Sequence, residues 1–244
     1  MPARASRPEP EASSALLESR GSIVGAPDID EQVEFGATMA ASHDEDCQVG
    51  ADEALTRLME GNARFRRGES RFTRASIEVF ADLVKGQHPF AAILGCSDSR
   101  VPPELIFDAE FGDLFVIRVA GNVVSPEVWG SLQYAGTHLK TQLLMVLGHE
   151  GCGAVQAALA AKFQGAQERS RIQLLLQNML PGLNEIDAQL SPQQKLERAV
   201  ESNVRWSMRQ LLEAPEGRAR MAEGRIKVVG AVYEIATGRV RLLA

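Results

Sequence analysis

Two short segments of the 244-residue chain carry side chains that could bind a metal and activate water. The first segment holds Cys96, Asp98 and Arg100, and the second holds His149 and Cys152, with two residues between them. Two thiolates and an imidazole are a strong zinc ligand set, and three protein ligands leave a fourth position for water or substrate. This stoichiometry indicates a catalytic zinc site rather than a closed structural one.

Asp98 and Arg100 could take part in the same chemistry. A carboxylate that is paired with an arginine stays ionised and can accept a hydrogen bond from a metal-bound hydroxide. A structural interpretation is also open, because a turn aspartate paired with an arginine is a common way to satisfy a buried loop. A cysteine after a strand is often a small core residue, and a single histidine is usually structural.

The elements around these segments are predicted to bring them together. Four uniformly apolar runs predict strands that are buried on both faces, at 90–95, 114–119, 142–147 and 226–235. Four helical patterns accompany them, at 127–139, 153–163, 169–180 and 192–213. Cys96 and His149 follow the first and third strands, so both should emerge at the carboxyl edge of the sheet, where open α/β sheets bind ligands.

Two further elements complete the expected fold. Apolar residues at helical spacing predict an amphipathic helix over 52–67, which Gly68 can end and which needs a surface to cover its apolar stripe. A turn at Thr237 and Gly238 predicts a last, antiparallel edge strand over 239–243. The predicted fold class is therefore α/β, with a mainly parallel sheet of four to five strands flanked by helices.

Charge divides the chain into two parts. Residues 1–50 contain three basic and ten acidic residues, and they are predicted to form a polar, flexible N-terminal extension. Residues 51–244 are nearly neutral and are predicted to form one catalytic α/β domain. The chain has no basic block, so neither nucleic acid nor an anionic membrane is expected as a partner. The purest apolar runs are also far too short to span a bilayer.

The three cysteines favour a reducing compartment. Cys47, Cys96 and Cys152 are an odd number, which does not suit a disulfide framework but does suit metal binding or chemistry by thiols. The first fifty residues lack the apolar segment of a secretory signal, and their early acidic residues are untypical of a transit peptide. We expect a cytoplasmic protein in which Cys47 is a free thiol rather than a ligand.

Taken together, the two segments resemble the β class of carbonic anhydrases. The motifs are Cys-Ser-Asp-Ser-Arg-Val at 96–101 and Gly-His-x-x-Cys-Gly at 148–153, with further similarity at 60–65, 112–118 and 120–122. The resemblance implies that Cys96, His149 and Cys152 hold zinc (Zn²⁺). It also implies a lyase that hydrates carbon dioxide reversibly to bicarbonate and a proton, by attack of a zinc hydroxide.

The resemblance assigns roles to the two neighbouring charged residues. Asp98 and Arg100 are implied to be a catalytic dyad, and Asp98 becomes the fourth zinc ligand in the closed form of the site. Members of the class that are regulated by bicarbonate have a tryptophan three residues before the first zinc cysteine. This chain has Ile93 there, which favours an open site without that regulation.

The resemblance also implies a substrate pocket and an oligomer. The carbon dioxide site is expected to contain Gln87, Phe115 and Tyr134, and the substrate-binding set includes Gly153, which directly follows the second zinc cysteine. Members of the class are usually homodimers or higher homo-oligomers, with the active site at the dimer interface and an N-terminal helix that often reaches the neighbouring subunit.

Two other functions fit the same residues. Similar proteins hydrolyse carbon disulfide or carbonyl sulfide with the same zinc ligands behind a narrower entrance. A non-catalytic protein could instead use zinc only to tie its loops together, in which case Asp98 and Arg100 would have no part in chemistry.

Overall fold

The computed structural model describes residues 49–71 and 80–243, apart from Asp82. The predicted extension at 1–50 therefore lies almost wholly outside the described residues, and so does Cys47. The first described element is helix α1, Ala51–Arg67. Its first turn is acidic and its last turn is basic, which suits the helix dipole, and it ends at Gly68 in the left-handed conformation.

A five-stranded sheet forms the centre of the domain. Its strands are β1 Ala91–Gly95, β2 Leu114–Arg118, β3 Leu143–His149, β4 Lys227–Glu234 and β5 Arg239–Leu242. They lie in the order β2-β1-β3-β4-β5, with the first four parallel and β5 antiparallel to β4. Every residue of β1 and β3 is buried, as their unbroken apolar sequences require. The predicted fold class is confirmed.

Helices surround this sheet. They are α2 Pro103–Ile106, α3 Pro126–Thr137, α4 Gly153–Gln164, α5 Ser170–Met179, α6 Pro192–Glu213 and α7 Pro215–Ala222. Helix α6 begins with a capping box in which Ser191 and Gln194 satisfy each other's backbone N–H groups. The described part of the chain contains no helix with the length and hydrophobicity needed to cross a membrane.

The strand register brings the two chemical segments to one edge of the sheet. Gly95 at the end of β1 is paired with Leu147 in β3. Cys96 follows Gly95 directly, and His149 is the last residue of β3, two positions beyond Leu147. The predicted convergence of the two segments at the carboxyl edge is therefore confirmed.

Helix α1 packs against its own chain. Leu58 is fully buried, and the Asn62 side chain donates a hydrogen bond to the carbonyl of Ile106. Arg64 forms an ion pair of 2.6 Å with Asp108, whose side chain is completely buried. The apolar stripe that was predicted to need a partner thus finds one within the same domain.

A glycine in α1 allows this close packing, and its replacement gives a testable prediction. A Cβ at Gly61 would lie 1.8 Å from the carbonyl oxygen of Phe107, which is backbone and cannot move freely. We expect Gly61→Ala to lower the free energy of unfolding by about 1–3 kcal/mol, measured by urea denaturation. Gly130 in α3 serves as the control, because no atom of the described residues outside its chain neighbours and its own helix backbone lies within 4 Å of the position that its Cβ would take.

The control should behave in the opposite way. Gly130→Ala is expected to leave the free energy of unfolding unchanged or to raise it by up to about 1 kcal/mol, because alanine is the better helix former. A Gly61→Ala protein as stable as the wild type would contradict the close contact between α1 and the segment around Phe107.

Candidate active site

Three buried side chains form a cluster at the carboxyl edge of the sheet. Cys96 follows β1, His149 ends β3, and Cys152 is the N-cap residue of α4. Their ligand atoms all lie within 4.8 Å of one another, and the two Sγ atoms are 3.9 Å apart. Tetrahedral zinc with ordinary Zn–S bonds would hold two sulfurs about 3.8 Å apart. The spacing of the two sulfurs therefore fits a zinc ion.

The histidine of this cluster is oriented as a metal ligand would be. Its Nδ1 is 2.8 Å from the carbonyl oxygen of Glu150, so the proton lies on Nδ1 and Nε2 carries the free lone pair. His149 is 1% exposed, and Nε2 has no hydrogen-bond partner among the described residues. A buried nitrogen without a partner is costly, and metal coordination would satisfy it.

A hydrogen bond between the two cysteines shifts their pKa values in opposite directions. A hydrogen bond from Cys152 lowers the pKa of Cys96 to about 4, with further help from His149 and from the backbone N–H of Gly121, against the opposing effect of burial. The same hydrogen bond raises the pKa of Cys152, and burial adds to this effect. Thiolates are the form that binds zinc, so the lowered pKa of Cys96 favours its role as a ligand, and binding of zinc would release any proton left on the pair.

An aspartate and an arginine lie beside the cluster as a bidentate pair. Arg100 Nε donates to Asp98 Oδ1 at 2.9 Å, and Arg100 Nη2 donates to Oδ2 at 2.8 Å. These hydrogen bonds, with a third from the Arg100 backbone N–H, hold the pKa of Asp98 well below its usual range. Asp98 Oδ2 is 3.9 Å from His149 Nε2, so the ionised carboxylate faces the metal-ligand cluster.

A second arginine, which was not predicted as a site residue, holds the loop between the cysteine and the aspartate. Arg118 ends β2, where it is paired with Gly95. Its Nε donates to the carbonyl oxygen of Cys96 at 2.9 Å, and its Nη2 donates to that of Asp98. The signal in the sequence was an arginine that ends an otherwise apolar strand beside β1.

Three residues expected around the substrate lie away from the metal-ligand cluster of their own chain. The rings of Phe115 and Tyr134 stack with centroids 6.2 Å apart. Phe115 is paired with Ala92 near the start of β1, and it precedes Arg118 by three residues, or about 10 Å along the strand. Gln87 is exposed and precedes β1 at its amino end. A single chain therefore does not bring these three residues to the metal-ligand cluster.

The last predicted substrate-binding residue does lie beside the cluster. Gly153 is the first residue of α4 and directly follows Cys152. It is exposed, and apart from its chain neighbours and the backbone of α4, no atom in the described part of the chain lies within 4 Å of the position where its Cβ would be. Small ligands can therefore approach the backbone at this position.

Comparison with known proteins identifies the family. A family model described as carbonic anhydrase matches residues 91–240, which include all the residues of the metal-ligand cluster. Carbonic anhydrase 2 of Mycobacterium tuberculosis (strain CDC 1551 / Oshkosh) is 38% identical over 187 residues, covering 76% of this chain and 89% of that protein. The carbonic anhydrase of Mycolicibacterium smegmatis is 36% identical over 186 residues, with the same coverage. These matches define a carbonic anhydrase fold and site.

Solved structures give the class. The β-carbonic anhydrase CcaA has a TM-score of 0.63 and 30% identity, covering 78% of this chain and 91% of that one. A tetrameric β-carbonic anhydrase from Sordaria macrospora has a TM-score of 0.61 and 30% identity, covering 68% and 85%. The chain belongs to the β-carbonic anhydrase family.

Proposed function

We propose that this protein is a zinc-dependent carbonic anhydrase that hydrates carbon dioxide reversibly to bicarbonate and a proton. The observation that carries the proposal is the buried cluster of Cys96, His149 and Cys152, which lies directly beside the Asp98–Arg100 pair. The Nε2 atom of His149 has no hydrogen-bond partner among the described residues, as expected for a metal ligand. Zinc bound by this cluster would act as a Lewis acid that lowers the pKa of a water molecule and supplies a nucleophile near neutral pH.

Asp98 orients the attacking water in this proposal. Because Arg100 keeps the carboxylate ionised, Asp98 can only accept hydrogen bonds and must take one from the water. That bond fixes the orientation of the water so that one of its lone pairs points toward carbon dioxide. Holding the two reactants in the reactive orientation lowers the entropic part of the activation barrier. Arg118 supports the arrangement by holding the backbone carbonyls on both sides of the loop.

The geometry of Asp98 favours the open form of the site. Both carboxylate oxygens already accept hydrogen bonds from Arg100, so moving Asp98 onto the metal would break a bidentate pair. This leaves the fourth position for water. Ile93 is fully buried in β1 and stands where bicarbonate-regulated members have tryptophan, which also supports an open site without that regulation.

The substrate pocket is proposed to be completed by a second copy of the chain. Gln87, Phe115 and Tyr134 lie away from the metal-ligand cluster of their own chain, and Tyr134 is 46% exposed despite its large ring. Strand β2 lies at the edge of the sheet, and none of its residues is fully buried. A homodimer or a larger homo-oligomer, like the tetrameric relative from Sordaria macrospora, would bring these residues to a neighbouring cluster.

The remaining proposals concern substrate, partners and location. Carbon dioxide and bicarbonate are the small-molecule partners, and neither nucleic acid nor a membrane is proposed as one. The cytoplasm is the proposed location, because a reducing compartment keeps Cys96 and Cys152 as thiols available to a metal. The polar extension at 1–50 and the catalytic domain at 51–244 are proposed as the two parts of the chain.

Stopped-flow carbon dioxide hydration by the zinc-loaded protein, across pH 6.5–9, tests the proposed function. We expect rapid hydration that rises with pH, because two thiolate ligands make zinc a weaker Lewis acid than imidazoles would. Release of hydrogen sulfide from carbonyl sulfide or carbon disulfide is measured in parallel and is expected to be slow. Absence of hydration at every pH, with one zinc per chain, would overturn the proposal, and rapid hydrogen sulfide release would then identify a hydrolase.

A further inference from the structure

A tight turn places a backbone donor on one of the proposed zinc ligands. Within residues 119–122, the N–H of Asn122 donates to the carbonyl of Val119 at 2.9 Å and closes the turn. The N–H of Gly121 donates to Cys96 Sγ at 3.3 Å. Gly121 has a φ of 68°, and a Cβ there would lie 2.7 Å from the sulfur of Met179. The turn therefore requires glycine at position 121. Because glycine has no side chain, other residues must hold the turn in place.

Two buried polar side chains of α6 supply the missing anchor. Asn203 Nδ2 donates to the carbonyl of Gly121 at 2.7 Å, and Ser207 Oγ donates to the carbonyl of Asn122 at 2.9 Å. Both residues are 1% exposed. They are four positions apart, so they lie on the same face of the helix and act on successive peptide groups. Together they fix the orientation of the backbone immediately after the N–H that contacts Cys96.

Only the amide nitrogen of the Asn203 side chain has a hydrogen-bond partner, which argues against a role in packing alone. Its Oδ1 is buried and has no hydrogen-bond partner in the described part of the chain. Burying an unpaired amide oxygen is unfavourable, and an apolar residue of similar size would avoid that cost. The donor group on the carbonyl of Gly121 is the feature that an apolar residue could not supply.

We propose that Asn203 and Ser207 are positioning residues of the metal centre, which keep the Gly121 N–H directed at Cys96 Sγ. A hydrogen bond to a thiolate withdraws electron density from sulfur, so the bond sets how strongly Cys96 donates to the metal. A more weakly donating thiolate leaves zinc a stronger Lewis acid, which offsets part of the effect of two negatively charged ligands. This inference rests on the zinc site of the proposed function.

Cobalt(II) substitution of the full-length protein tests the inference through a spectroscopic signal. Asn203→Ala and Ser207→Ala are compared with the wild type by the thiolate-to-cobalt charge-transfer band in the near ultraviolet. We expect the band to move to longer wavelength in both variants, because a sulfur without its hydrogen bond gives up electrons more easily.

A matched control separates positioning from general loosening of α6. Leu211 is buried on the same helix, one turn beyond Ser207, and its apolar side chain has no group that could donate to the turn, so Leu211→Ala should lower the melting temperature without moving the band. Ser207→Ala removes a single oxygen atom, so it remains informative if Asn203→Ala fails to fold. A band that stays in place in the variants that fold, or that moves equally in Leu211→Ala, would overturn the positioning role.

A different result would identify failure of the underlying site. A wild-type protein that binds cobalt without any thiolate charge-transfer band would overturn the zinc site itself, and the positioning role with it. A normal wild-type band that the two variants leave unchanged would overturn only the positioning role.

Discussion

Replacing Cys152 by serine is expected to abolish zinc binding and carbon dioxide hydration together. A serine hydroxyl is not ionised near neutral pH and does not replace a thiolate ligand. Only Cys96 and His149 would remain as protein ligands, and two ligands bind zinc too weakly to retain it in dilute solution. We expect hydration to fall by more than about a hundredfold, which exceeds the usual effect of groups that merely orient metal ligands.

Metal analysis and stopped-flow hydration on the same samples check this result. Cys47→Ser is the matched control, because it makes the same chemical change at the cysteine that the sequence predicts to be a free thiol. It should retain one zinc per chain and full hydration. A Cys152→Ser protein with normal zinc content and activity would contradict the assignment of the ligands, as would loss of zinc in Cys47→Ser.

Asp98→Asn should remove most of the activity while leaving the metal in place. The amide has the shape of the carboxylate, but its nitrogen is a donor and opposes either Arg100 or the attacking water. Loss of a group that orients a reactant can cost about 10²-fold in rate, and we expect kcat for hydration to fall by about that factor or more. Metal analysis should still find one zinc per chain.

A surface ion pair provides the control for this variant. Glu53 in α1 accepts two hydrogen bonds from Arg57 on one carboxylate oxygen, and its neighbour Asp52 contacts Lys227 at the start of β4, at the edge of the sheet opposite the site. Glu53→Gln should leave hydration unchanged. Normal hydration in Asp98→Asn would support the purely structural interpretation of the loop, whereas loss of zinc would show that Asp98 is a metal ligand.

The pH profile of the Asp98 variant adds a second readout. Arg100 lowers the pKa of Asp98 below the usual value for aspartate, which is itself far below pH 6.5. The carboxylate therefore stays ionised and does not titrate between pH 6.5 and 9. The wild type and Asp98→Asn should therefore both show a pH midpoint, at different plateau rates, and the midpoint of the variant should lie lower because a negative charge beside the water is lost. A midpoint that disappears in the variant would contradict the constant ionisation of Asp98.

Much of the fold could be predicted from the sequence because its strands are buried on both faces. Burial of this kind leaves unbroken apolar runs, as in β1 and β3, and their ends agree with the prediction to within two residues. Helix α7, Pro215–Ala222, was not predicted, since none of its residues is buried and its sequence has no apolar period. Helix α2 is a single turn of four residues, which is too short to show a period.

The candidate site was predictable where chemistry and strand ends coincide. Cys96 and His149 could be brought together because parallel strands end at one edge, which is a property of the topology. The contributions of Asn203 and Ser207 could not be predicted in this way, and for Arg118 the sequence shows only an arginine at the end of an apolar strand. Each acts on a backbone carbonyl of another segment, and a carbonyl has no signature in the sequence.

The helix at the start of the domain shows the same limit. The apolar stripe of α1 correctly predicted a buried face, but an amphipathic pattern does not identify the surface that covers it. The ion pair of Arg64 with Asp108 and the hydrogen bonds of Asn62 show that this surface belongs to the same chain. Likewise, the separation of Phe115 from the metal-ligand cluster appears only once the register of β1 and β2 is known.

Zinc titration of the metal-free protein, followed by stopped-flow carbon dioxide hydration, is the decisive measurement of zinc dependence. Zinc is removed with a chelator, and hydration is measured after each addition of metal at a fixed pH near 8. We expect no hydration without metal, a linear increase as zinc is added, and a break at one zinc per chain. Full hydration by the metal-free protein, or none at one zinc per chain in folded protein, would contradict a zinc-dependent carbonic anhydrase.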